Sequence, residues 1–96
     1  MHFISLLFLT GCQSHKKAMQ YICDAPKDCA DCLTASPDVR ITALYKHIEQ
    51  KVSNREAKDM LQSLAPLSNK DKASVIQKNA EKEYIKRCIF AEMLIE

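Results

Sequence analysis

Apolar positions in this chain recur at three- and four-residue intervals, with no strand-like alternation long enough to compete. Ala18, Met19, Ile22 and Cys23 fall on one side of a helix expected from about Ser14 to Asp24, with Pro26 forcing the exit. Asp24 to Ser36 then reads as a loop or a single short turn. The clearest element follows. Ser36-Pro37-Asp38 has the form of an N-cap, a first-turn proline and an acidic first turn, and it opens a stripe of Ile41, Leu44, Tyr45, Ile48 and Val52. Ser53-Asn54-Arg55-Glu56 has the form of a capping box. It starts a helix with Ala57, Met60, Leu61 and Leu64 inward, joined to its predecessor so tightly that the two should pack as an antiparallel or angled pair. After Pro66, Ser68-Asn69-Lys70-Asp71 starts another helix through Ala73, Ile76, Ala80, Tyr84 and Ile85, and Cys88 to Ile95 turns back over the core. The pattern predicts an all-α fold, a small bundle of three to four short helices.

Composition supports this: one glycine (Gly11), no tryptophan and few β-branched clusters. Fourteen Lys and Arg against twelve Asp and Glu leave a net charge of +2, with the two signs interspersed. Such a balance argues against nucleic acid as a partner.

Ahead of the first helix lies an uncharged apolar run, Ile4 to Leu9, leading into Leu9-Thr10-Gly11-Cys12. The run is far shorter than the roughly 20 residues a membrane span needs. The tetrapeptide resembles the lipobox of bacterial lipoproteins, and the chain looks like the small cysteine-containing lipoproteins of diderm bacteria. That resemblance implies a signal peptide over 1–11, removal of it before Cys12, and a lipidated Cys12 carrying diacylglycerol and palmitate-type acyl chains. It also implies a mature domain over 12–96 in the cell envelope, tethered to the membrane by lipid. Gln13 after the cysteine implies the outer membrane, facing the periplasm. Residues 12–17 are expected to form a linker, in which Lys16-Lys17 could attract anionic headgroups weakly, by about 1 kcal/mol per charge.

Four cysteines remain: Cys23, Cys29, Cys32 and Cys88. An even count in a small exported chain reads as a disulfide framework, here a staple for a domain whose core alone supplies only about 3 to 5 kcal/mol. A bond from the first cluster to Cys88 would close a loop of about 60 residues and constrain the unfolded chain by roughly 4 kcal/mol. The favoured pairing is Cys88 with Cys29 or Cys32, leaving Cys23 for the other. Two sharper readings use the same sulfurs. Cys29-Ala30-Asp31-Cys32 is a CxxC that thiol-disulfide exchange could employ, with Asp28 as N-cap, although Asp28 and Asp31 would raise a thiol pKa. Four thiolates could alternatively surround zinc, or fewer of them copper(I).

No other constellation points to chemistry. His15 reads as linker, and His47 as the exposed shoulder of its helix. Tyr21, Tyr45 and Tyr84 lie on or near the apolar stripes and read as core with the hydroxyl reaching water. There is no GxSxG, no HExxH, and no glycine-rich phosphate loop. Neither enzymatic activity nor a cofactor is expected. The expectation is a noncatalytic lipid-anchored module for an envelope protein partner, with thiol redox or metal handling as the alternative.

Overall fold

The computed structural model describes residues 13–96, so Cys12 and the apolar run before it lie outside the described residues. Among the described residues six helices follow one another: α1 His15–Asp28, α2 Ala30–Leu33, α3 Pro37–Lys51, α4 Arg55–Ser63, α5 Asn69–Lys82 and α6 Ile89–Leu94. The four longer ones stand where periodicity places them, and the fold is an all-α bundle. Helix α1 is its axis, packing against all five others. Met19, Ile22 and Cys23 of α1 are fully buried, facing Leu44 and Ile48 of α3, Ile76 and Ala80 of α5, and Phe90 of α6.

Local chemistry starts most of these helices. Ser14 accepts from Lys17 N–H and Ser68 from Asp71 N–H, both acting as N-caps, while Ser36-Pro37 opens α3 without a side-chain cap bond. The capping box before α4 is not formed as expected. The N-cap is Asn54, which accepts from Ala57 N–H, because the Ser53 amide is already taken by Gln13.

Pro26 does not end the first helix. Helix α1 continues to Asp28, and the Cys29 amide still donates to Ala25 O at 2.9 Å. An interior proline costs about 3 kcal/mol, but Ile22, Cys23, Ala25 and Pro26 are all buried here, and tertiary packing overrides the local penalty. The four residues of α2 lie in the segment read as a loop or short turn.

The end of α5 departs from the apolar stripe. Glu83 is the C-cap; Tyr84 N–H donates to Glu81 O and Ile85 N–H to Ala80 O, each at 3.0 Å, which together form a Schellman motif. Tyr84 therefore takes the left-handed position that glycine usually fills, at φ 61°, and its ring is 90% exposed instead of joining the core.

Helix α4 follows α3 after a three-residue bend and packs mainly on α1. Gln13 sits at the bend between them, and the two helices splay around a cleft.

Candidate functional site

The chain direction gives the bundle two poles. Gln13 contacts Lys51, Ser53 and Asn54, which join the end of α3 to the start of α4. His15 contacts Glu56 in the first turn of α4 and Glu83 just past α5. The start of α1, the end of α3, the start of α4 and the end of α5 thus meet at one pole. At the other, Pro37, Arg40 and Ile41 of α3 line a pocket with Asn69, Leu94 and Glu96, and Cys29 follows directly on the end of α1.

At the first pole, residues 13–17 are not a linker. The Gln13 Oε1 atom accepts from the Ser53 amide at 2.7 Å and the Asn54 amide at 2.9 Å, its Nε2 donates to Lys51 O at 3.0 Å, and its own carbonyl accepts from Asn54 Nδ2 at 2.9 Å. This amide side chain satisfies backbone groups at a helix end and a bend that would otherwise depend on water. His15, only 11% exposed, lies between two carboxylates: its Nδ1 is hydrogen-bonded to Glu83, and its Nε2 lies 3.8 Å from Glu56. On the same side, the ammonium groups of Lys17 and Lys51 lie 5.6 and 6.0 Å from the ring centroid of Tyr21, close enough for cation–π attraction. Two lysines from different helices therefore flank one aromatic ring, next to the residue that follows Cys12.

The cysteines form two disulfides, Cys23–Cys88 and Cys29–Cys32, with Cα separations of 4.4 and 5.3 Å. This differs from the expected pairing of Cys88 with Cys29 or Cys32. Cys23 and Cys88 are both fully buried, where the face of α1 meets the segment leading into α6. Cys29 and Cys32, at the end of α1, close on each other. Asp28 is the last residue of α1 rather than a cap; Cys29 itself is the N-cap of α2, without a side-chain bond. With all four sulfurs bonded in pairs, the four-thiolate arrangement is not formed. Among the described residues no group of three or more His, Cys, Asp or Glu is placed to hold a metal ion.

The cleft between α3 and α4 has a volume of about 310 Å³ and is lined by Tyr45, Glu49, Val52, Lys58, Leu61 and Gln62. Tyr45 stacks edge-on against Phe90 with centroids 5.2 Å apart, and burial pushes its hydroxyl pKa upward. His47, expected on an exposed shoulder, is half-buried, and its Nε2 is enclosed with no hydrogen-bond partner among the described residues.

Sequence reasoning missed Gln13, His15 and Lys51. Lys17 and Tyr21 stand at i and i+4, a spacing that pairs them on any helix. The contacts of Gln13 and His15 span 38 to 68 residues, and no local pattern announces them.

Comparison with protein-family models, with curated proteins and with solved structures yields no match.

Proposed function

We propose that this protein is a noncatalytic, lipid-anchored module of the bacterial cell envelope, held through Cys12 in the outer membrane and presenting its helical surface to a protein partner on the periplasmic side. The observation that carries this reading is Leu9-Thr10-Gly11-Cys12 at the end of an uncharged apolar run. The two disulfides support it, since paired thiols belong to an oxidising compartment. Expression of the full chain in a diderm bacterium, followed by intact-mass measurement and membrane fractionation, tests it. Cleavage before Cys12 with added acyl mass is expected. An unprocessed, unacylated polypeptide in the soluble fraction would sink the reading.

A second reading rests on the Cys29–Cys32 pair. Its ring is so small that it constrains the unfolded chain by only about 2 kcal/mol, against about 4 for Cys23–Cys88. Stability is a weaker reason for keeping the smaller bond, and Cys29 is only half-buried. Thiol-disulfide exchange at Cys29 fits those two facts. Selective reduction of Cys29–Cys32 by a mild dithiol, with Cys23–Cys88 intact, is the outcome it requires.

A further inference from the structure

We infer that the pole built around Gln13 is a docking face for anionic phospholipid headgroups, with Lys16, Lys17 and Lys51 as its cations and Tyr21 and Tyr84 as its interfacial aromatics. The inference rests on the reading that Cys12 carries acyl chains, and it adds what the body of the protein does once they are inserted.

An anchor at Cys12 would leave little slack. Consecutive Cα atoms are about 3.8 Å apart, so an anchor at Cys12 is one residue from Gln13. Gln13 in turn is fastened to the α3–α4 bend through its side chain and its carbonyl. A lipid at position 12 therefore brings this pole to the level of the headgroups, because no flexible spacer holds the domain away from them.

The same pole carries exposed cations. Lys16, Lys17 and Lys51 are exposed at this pole, and Arg55 opens α4 beside it. Of the carboxylates that contacts place there, Glu83 is hydrogen-bonded to His15 and Glu56 stays largely exposed 3.8 Å from it, so the exposed cations outnumber the exposed carboxylates that contacts place at this pole. Each cation near an anionic surface adds about 1 kcal/mol, or roughly fivefold in partitioning.

Two tyrosines accompany these cations. Tyr21 lies between two ammonium groups, the combination of Tyr and Lys that membrane interfaces favour. Tyr84 follows directly on the Glu83 that touches His15 and turns its ring to solvent at a backbone position glycine would fill more cheaply. An exposed ring held at such a cost points to a use for it.

The chain has no tryptophan, so single substitutions report on depth directly. Tyr21→Trp and Lys16→Trp place the probe on the proposed face, and Val39→Trp places it on the half-exposed start of α3 at the opposite pole. Each full chain, with acylation verified by intact mass, is reconstituted into phosphatidylethanolamine vesicles containing phosphatidylglycerol and brominated lipid. Tyr21→Trp and Lys16→Trp should shift to the blue and be quenched several-fold more than Val39→Trp. Equal quenching at both poles overturns the proposal. The role of charge is read from the full chain carrying Cys12→Ser. Adding Lys17→Gln and Lys51→Gln should lower its partitioning onto phosphatidylglycerol vesicles about 25-fold, two fivefold steps, whereas Lys70→Gln with Lys78→Gln on α5 should change it little. Equal losses from the two pairs, or equal partitioning onto phosphatidylcholine alone, refute the headgroup preference. Failure of acylation in the intact mass counts against the anchor reading instead, and the vesicle measurement on the Cys12→Ser chain still judges the face.

Discussion

Gln13 and Asn54 hold each other in both directions: the Asn54 amide donates to the Gln13 side chain while the Asn54 side chain donates to the Gln13 carbonyl, each at 2.9 Å. This reciprocal pair ties the residue after Cys12 to the bend that starts α4. Gln13→Ala removes the acceptor for two backbone amides and the donor to Lys51 O. At a partly exposed site it should cost about 1 to 2 kcal/mol in urea unfolding. Gln13→Glu keeps the acceptors and loses only the donor, so it should fall between alanine and the natural residue. An alanine variant as stable as the parent would show that the bend holds without it.

The two disulfides should separate by stability. Cys23→Ala with Cys88→Ala removes a link between residues 65 apart, worth about 4 kcal/mol in the chain-entropy model. For a domain of this size that approaches the whole margin, so the variant should be unfolded or nearly so by circular dichroism at ambient temperature. Cys29→Ala with Cys32→Ala should remain folded, with a loss of about 2 kcal/mol or less. Peptide mapping under non-reducing conditions checks the pairing directly, and a peptide joining Cys88 to Cys29 or Cys32 would contradict it.

Acid should loosen the start of α6 first. Arg87 donates to both Glu92 oxygens, and this hydrogen bonding, reinforced by its charge, holds the Glu92 carboxyl below its ordinary value. A carboxylate depressed in the folded state contributes stability above the ordinary glutamate range of about 4.3, and that contribution is lost as pH falls through the folded value. Following Glu92 by NMR titration should show its midpoint rise to the ordinary range in Arg87→Ala. An unchanged midpoint would mean that the pair does not persist in solution.

Tyr84→Gly sets stability against docking. Glycine relieves the left-handed backbone of the Schellman motif, and the variant should gain about 1 kcal/mol. If the ring meets lipid, the same change should weaken partitioning onto phosphatidylglycerol vesicles. Thermal melts and vesicle binding on one pair of proteins read both effects, and a variant more stable yet equally well bound would remove Tyr84 from the face.

What could be read from residues alone follows the range of the interactions. The starts of α3 and α5 were legible because Pro37 presets the backbone of a first helical turn and the Ser68 side chain accepts from an amide within one turn. The core stripes of α1 and α3 were legible because periodicity is local. Pro26 misled because its cost is local and its compensation, burial in the folded domain, is not. Ser53 misled because Gln13, 40 residues away, takes its amide. Tyr84 has the spacing of a core residue but stands two positions past the last residue of α5. At the candidate site, the cysteines were visible and their pairing was not, since Cys88 chooses Cys23 through the packing of α6 on α1. Lys16 and Lys17 were visible as a pair, but Lys51 joined them only through the fold.

The link between Cys23 and Cys88 also has a meaning in time. In a polypeptide that emerges from its N-terminal end, Cys23 arrives early and must wait while 64 further residues follow before its mate appears. Cys29 and Cys32, meanwhile, are already within reach of each other and of Cys23. If oxidation begins before the last helix is available, Cys23 can join Cys29 or Cys32 instead, and the pairing seen here is then reached only by breaking that bond and exchanging it.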